Sequence, residues 1–334
     1  MLLGGSATRL DYHEACILAR RMTDRPVFGV NLPWLFGSYG HDLAINEHYA
    51  DWGYAWDEAE AARALAEVKA LGFDAVRIWL CENGEGVVTD GGVTEGGAVR
   101  GVHPALLTNL ARLQEMLAAE GLVAYWTLLD GNSWKREGDA LSHAILTDPA
   151  QTARFAERVA APISEALDPA LTFALEVVNE PEVMTPECTE APTASWETLA
   201  RGIATVGDAF RGRHRITAGT MHVFLPSLWG ADPRVDAIDV HLYHPQGGLP
   251  PRSHLARYCE DPAVADAFLV AGECGLPDEV GGRALLSYLE NAVTERYDGV
   301  FLWRLEHVLV TQDDTRAITE TGHEVRAVLE RLKG

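Results

Sequence analysis

The sequence predicts a single (β/α)8 barrel of the TIM type, on three observations: eight short apolar runs, helical stretches between most of them, and polar residues where the runs end. The runs are VFGVN (27–31), DAVRIWL (74–80), LVAYWTLL (122–129), LTFALEVV (171–178), RITAGT (215–220), AIDVHLY (237–243), FLVAGE (268–273) and GVFLWRL (299–305). Their apolar character is continuous rather than alternating, which marks strands covered on both faces. Helical periodicity fills 57–72, 103–121, 148–167, 196–212 and 283–297. Several of these stretches open on Asp or Pro and close on Gly, which are capping signals. A last helix over 321–334 completes the ring, and residues 1–26 form an extension expected to cap the barrel floor, leaving 27–334 as the barrel itself. A doubly wound sheet is the alternative, but no GxGxxG follows the first strand.

Composition narrows the class. The 334 residues are 47% hydrophobic and 23% charged, a globular balance, and no run of about 18 apolar residues offers a membrane-spanning helix. The N-terminus lacks a basic segment followed by an apolar one, so the expected location is cytoplasmic. A net charge of −22, from 49 acidic against 27 basic residues, repels phosphate backbones and anionic lipid. Nucleic acid and membrane are therefore not expected partners, and neutral or cationic ligands fit better. Five cysteines, at 16, 81, 188, 259 and 274, show no CxxC or metal-type spacing. Reduced thiols are the simplest account, with a Cys188–Cys259 bridge left open.

Barrel enzymes place their sites on the face where strands end. The segment after the first strand, 32–56, holds Trp34, Phe36, Tyr39, Tyr49, Trp52, Tyr54 and Trp56, which could form a private core or meet a ligand. The Gly-rich stretch 81–101 follows the second strand, and its Glu82, Asn83 and Glu85 read as solvated loop residues. The strand ends carry Arg77, then Asp130 and Asn132, then Asn179-Glu180, then His241 and Tyr243, then Glu273, and finally Trp303. Glu180 and Glu273 stand on the fourth and seventh strands, which face each other across such a barrel. Two opposed carboxyls are what glycosidic bond cleavage needs, one to protonate the leaving oxygen and one to attack the anomeric carbon. Blander readings are buried salt bridges for the two glutamates, a core ion pair between Arg77 and Glu176, and a core histidine at 241. A metal site built from Asp239, His241 and His244 is disfavoured because the first strand offers no partner histidine, so no metal or cofactor is expected.

NEP (179–181), HxY (His241, Tyr243), GE (Gly272, Glu273) and Trp303 together resemble clan A of the glycoside hydrolases, closest to family 5, the cellulase, mannanase and β-mannosidase group. NEP alone is a weak signal; its coincidence with the others in barrel order, over roughly residues 27 to 305, is a strong one. The resemblance implies a retaining mechanism with Glu180 as acid/base and Glu273 as nucleophile. It also implies that Arg77 and Tyr243 hold Glu273 ionised and oriented, that Asn179 bonds the sugar 2-hydroxyl, and that Trp303 forms an apolar floor; Trp34, which closely follows the first strand, is the best sugar contact among the aromatics of 32–56. One departure stands out: family 5 chains commonly carry D-x-His after the third strand, and this chain reads Asp130-Gly131-Asn132. Asn132 can bond a hydroxyl but cannot act as a cation. The expected substrates are short gluco- or manno-configured β-linked oligosaccharides or small β-glycosides. The long first two loops would wall off a pocket, as in an exo-acting β-mannosidase. An endo-β-1,4-glucanase or endo-β-mannanase is the alternative, and a non-catalytic carbohydrate-binding barrel is the alternative of another class.

Overall fold

A computed structural model of the chain describes residues 25–35, 40–47, 51, 53–91, 97–132, 141–229, 234–245, 247–276, 283–311, 313 and 315–334. The expected extension over 1–26 lies almost wholly outside the described residues, as do Phe36, Tyr39, Tyr49 and Trp52 of the aromatic loop.

Eight parallel strands close into a barrel: β1 (Val27–Asn31), β2 (Ala75–Trp79), β5 (Val123–Asp130), β6 (Thr172–Asn179), β7 (Ile216–Thr220), β8 (Ala237–Tyr243), β9 (Phe268–Gly275) and β10 (Gly299–Leu302). All eight correspond to runs read from the sequence. Closure is made where Val27 pairs with Gly299 and Val30 with Leu302, while Asn31 pairs with Arg77 on the other side of β1. A two-stranded antiparallel sheet, β3 (Val87–Asp90) with β4 (Ala98–Val102), stands outside the barrel in the second loop. Sequence periodicity gave no sign of it, because five glycines between 87 and 102 and mixed polarity hide its alternation.

Helices follow most barrel strands, and their ends are set by local chemistry. Asp57 accepts from the Ala59 and Glu60 amides to start the helix Glu58–Ala70, and Gly121 ends Pro104–Glu120 in the left-handed region at φ 62. Asp148 caps a run that continues as Pro149–Phe155, a wide π turn over Ala156–Ala160, and Ala161–Ala166. Three short helices, Leu141–Thr147, Leu225–Leu228 and Arg252–Tyr258, were not legible as periodic stretches. Among the described residues no helix is long and apolar enough to cross a membrane.

Inside the barrel, the lower layer is a cluster of Tyr125, Phe173, Phe268 and Phe301 packed with Ala75, Ala174 and Val270, and Phe173 lies 5.5 Å from both Phe268 and Phe301. A side chain at Gly29 would overlap the Phe301 ring, so the glycine makes room for this plug. At the floor, Asp74 accepts from Arg25 at 2.7 Å, Lys333 at 2.5 Å and the Phe28 amide at 3.2 Å, clasping the starts of β1 and β2 to the C-terminal helix Glu320–Lys333.

One expectation is corrected by burial, and the cysteines settle a question the sequence left open in favour of reduced thiols. Glu82, Asn83 and Glu85 are only 2%, 3% and 1% exposed, because Glu82 accepts from Trp34 and Glu85 from the amides of Leu43 and Ala44. These acidic side chains staple the first loop to the second instead of facing water. Cys81, Cys188, Cys259 and Cys274 are free thiols, so no Cys188–Cys259 bridge forms.

Candidate active site

The upper layer of the barrel is polar because each strand ends in a hydrogen-bonding side chain, and Arg77 of β2 is its hub. All five N–H donors of this fully buried guanidinium are used. Nε and Nη2 donate to Glu176 Oε2 at 3.0 and 2.6 Å, Nη1 donates to Asn31 Oδ1 at 2.8 Å and Glu273 Oε1 at 2.7 Å, and Nη2 donates to Asn179 Oδ1 at 2.8 Å. Burial works against its charge, but Glu176 and Glu273 more than offset that and raise its pKa. The core ion pair with Glu176 and the contact with Glu273 therefore occur together. Tyr243 Oη donates to the other oxygen of Glu273 at 2.7 Å, so both carboxylate oxygens are fixed.

Glu180 sits where β6 ends, with its backbone in the left-handed region at φ 44 and its amide donating to Gly219 at 2.8 Å. Its side chain is thereby turned into the barrel mouth. Oε2 accepts from Asn132 Nδ2 at 3.0 Å and Oε1 lies 3.2 Å from His241 Nδ1. Carboxylate oxygens of Glu180 and Glu273 and a ring nitrogen of His241 all lie within 4.8 Å of one another. The two glutamates read from opposite strands thus meet.

His241 is buried among four carboxylates. Besides Glu180, Nδ1 is 3.8 Å from Glu273, and Nε2 is 3.8 Å from both Glu176 and Asp239, distances of ionic contact rather than hydrogen bonding. Burial alone would lower its pKa, but the charge of Glu273 and the other carboxylates raise it well above 6.5. For Glu180, burial alone would push the pKa up; the hydrogen bond and charge of His241, with the Asn132 donor, bring it down to about 2. These opposing shifts favour a histidinium beside a carboxylate. A side chain at Gly219 would overlap His241 and Glu176, so this close approach requires glycine there.

The Asp130-Gly131-Asn132 turn is held from three sides. Asp130 Oδ1 accepts from the Asn132 amide at 3.0 Å and Asn179 Nδ2 at 2.9 Å, and burial pushes its carboxyl up to about 7. The Gly131 carbonyl lies 3.2 Å from His143 Nε2, whose Nδ1 is 2.8 Å from Thr193 Oγ1. Burial lowers the His143 pKa, keeping the ring neutral and able to donate to that carbonyl. Beneath the site, Asp239 accepts from Tyr125 Oη and, at 2.7 Å, from the Gly272 amide, while Glu176 accepts from Thr127 at 2.5 Å and Gly219 at 2.9 Å. Two groups, Glu176–Asp239–His241 and Glu180–His241–Glu273, have ligand-atom spacing suited to an ion. In both, protein donors already engage the carboxylate oxygens, and His244 belongs to neither.

Trp303 follows β10, with its amide donating to Cys274 at 2.8 Å and a cis peptide to Arg304. Trp34 follows β1, donates through Nε1 to Glu82 at 2.8 Å and meets Trp79 edge-on at 6.1 Å. Every site residue read from the sequence is therefore at the barrel mouth, with Arg77, Asp130, Asn132, Asn179, Glu180, His241, Tyr243 and Glu273 in one hydrogen-bonded network. Asn31, Tyr125, Thr127 and His143 also bond into or beneath this network and were not singled out from the sequence, whereas Asp239, weighed there as a metal ligand, is instead an acceptor beneath it. Asn31 ends its strand as Asn179 ends β6, and the same strand-end rule would have found it.

No family model matches the sequence, and no curated protein matches it. Several hundred solved chains share its fold. They include an endo-1,4-beta-mannanase from Eisenia fetida (18% identity over 93% of this chain and 91% of that one, TM-score 0.65). They also include a GH5_18 protein from Streptomyces cattleya in complex with Manb1-4GlcNAc (18% identity, 92% and 80%, TM-score 0.61). A third is the exo-beta-1,4-mannosidase Op5Man5 from Opitutaceae bacterium strain TAV5 (20% identity, 92% and 59%, TM-score 0.60). The chain has the barrel fold of these proteins.

Proposed function

We propose that this chain is a retaining β-glycoside hydrolase of clan A, resembling family 5, that acts on short manno- or gluco-configured β-glycosides. The observation that carries the reading is the approach of Glu180 and Glu273 to within 4.8 Å across the barrel. Retaining glycosidases hold their carboxyls about 5–5.5 Å apart, whereas inverting ones leave room for a water between them. In the first step Glu273 attacks the anomeric carbon, the glycosidic C–O bond breaks, and the proton on Glu180 passes to the leaving oxygen. In the second, water attacks the same carbon, gives its proton to Glu180, and Glu273 leaves as carboxylate. The net reaction consumes one water and needs no cofactor.

In the resting site the proton for the first step is held on His241, 3.2 Å from Glu180, and moves to Glu180 as the leaving oxygen develops charge. Arg77 and Tyr243 aim Glu273; Asn179, fixed by Arg77 and Asp130, keeps one Nδ2 hydrogen for the sugar 2-hydroxyl; Trp303 and Trp34 flank the sugar. Mannan-degrading names among the fold neighbours favour a manno-configured substrate and, with the stapled first two loops, exo action as a β-mannosidase. The endo-mannanase reading rests on neighbours of nearly the same length. Product analysis separates the two: monosaccharide alone supports exo action, and mixed oligomers refute it.

A panel of aryl β-glycosides tests the mechanism. Glu180→Gln and Glu273→Gln should each lose most of the activity, and azide should restore turnover to Glu273→Ala with an α-glycosyl azide as product. Unchanged turnover in either glutamine variant refutes the assignment, and failure of both also answers the non-catalytic reading.

A further inference from the structure

Arg304 is the cation at the barrel mouth that the chemistry above leaves unused. Its guanidinium carbon lies 5.1 Å from the centre of the Trp34 ring and 5.6 Å from that of Trp303. Among the described residues, Nε is buried with no hydrogen-bond partner and no carboxylate lies within ion-pair distance of Arg304. The contrast with other half-buried arginines is plain. Arg316 is shared by Glu67 and Glu306, and Arg252 is held by Asp298 and the Arg296 carbonyl. In a chain with 49 acidic residues, a guanidinium beside two tryptophans has no carboxylate partner among the described residues, at the barrel mouth where a ligand would enter. A desolvated donor without an acceptor is destabilising until something supplies one.

Its position says what that something is. β10, which Arg304 follows, lies between β1 and β9, the strand that carries Glu273, and stands across the barrel from β6, which carries Glu180. The leaving group sits on the side of the acid, so Arg304 faces the sugar that keeps its anomeric carbon. Resting on the retaining glycosidase reading, we infer that Arg304 is a specificity-determining residue that donates its fork to two adjacent hydroxyls, the 3- and 4-hydroxyls, of a neutral glycone. The two aromatic rings hold the fork rigid and give the sugar an apolar wall. A neutral sugar fits better than an acidic one, because Glu82 bonds the Trp34 ring that Arg304 rests on and the whole chain carries −22.

The test uses the full chain and 4-nitrophenyl β-mannoside or β-glucoside, whichever the wild type prefers, with its 3-deoxy and 4-deoxy analogues. Arg304→Met keeps the stem and removes the donors; Arg304→Lys keeps the charge without the fork. Arg304→Met should lower kcat/KM on the parent glycoside by roughly 10- to 100-fold, chiefly through KM, and on the deoxy analogues by less than about threefold. Arg304→Lys should fall between. Equal losses on parent and deoxy substrates, no loss at all, or a wild-type preference for the β-glucuronide over the β-glucoside would each overturn the inference. Azide rescue of Glu273→Ala reports separately on the mechanism: rescue without the deoxy coupling removes only the Arg304 assignment, whereas no turnover and no rescue removes both. Unchanged thermal unfolding of Arg304→Met shows that the loss is not one of folding.

Discussion

At the scale of single residues, the proposed chemistry turns on His241 and Glu180, whose side chains lie 3.2 Å apart and would share one proton. Such a pair titrates as a unit, so the acid of the first step is lost only when the pair gives up its proton. Because burial is overcome by Glu273 and the other carboxylates and His241 is raised well above 6.5, the alkaline limb of kcat/KM should lie above pH 6.5, not near the value of about 2 for Glu180. His241→Asn should move that limb down by at least about one pH unit and cost on the order of 10²-fold with poor leaving groups, but little with dinitrophenyl aglycones that depart without a proton. An unmoved limb would show that His241 holds no proton for the reaction. Within this pair, Asn132 acts on Glu180 alone. Its Nδ2–H bonds the ionised form of Glu180, so Asn132→Ala should raise the Glu180 pKa, readable by titrating that carboxyl in the ¹³C NMR spectrum. Most of these residues were legible because each breaks the apolar character of a strand at its end. His143 was not, since it acts through the Gly131 carbonyl from a helix, and nothing in the spacing of the sequence joins the two.

At the scale of elements, the first two loops are built around buried acids. Asp42 accepts from the Leu35 amide at 2.7 Å and shares a hydrogen bond with Glu85, and burial raises Asp42 from 3.8 to about 6. Between about pH 3.8 and 6 the folded loop holds a proton that the unfolded chain has released, so stability falls as pH rises through this window. Asp42→Asn removes the titration and keeps an acceptor for Leu35. It should stabilise the protein by on the order of 1–2 kcal/mol at pH 8 and much less at pH 4, measured by urea unfolding at both. A difference independent of pH would contradict the shared proton. The same loops show where sequence reading stops. Charged residues in a Gly-rich stretch look solvated until tertiary partners appear, and the partners of Glu82 and Glu85 lie 48 and 42 residues earlier in the first loop.

At the scale of the whole molecule, the ring is closed above by the Arg77 network and below by the Asp74 clasp. Burial would raise the Asp74 carboxyl, but Arg25 and Lys333 hold it below 3.8, so its contribution is present above that pH and lost as pH falls. Asp74→Ala should cost roughly 1–3 kcal/mol at neutral pH and less at pH 3, by the same unfolding measurement. The barrel itself was legible because every buried strand is a continuous apolar run and the helices between carry their own caps. The β3–β4 hairpin was not, because its pairing is specified by the partner strand and not by local periodicity. The central claim is the double displacement at Glu273, and trapping its intermediate tests it most directly. Incubation with a 2-deoxy-2-fluoro-β-mannosyl or -glucosyl fluoride, followed by peptide mass spectrometry, should show one glycosyl adduct, on the peptide that carries Glu273. No adduct with a sugar whose parent glycoside is turned over, or an adduct on Glu180 instead, would contradict it.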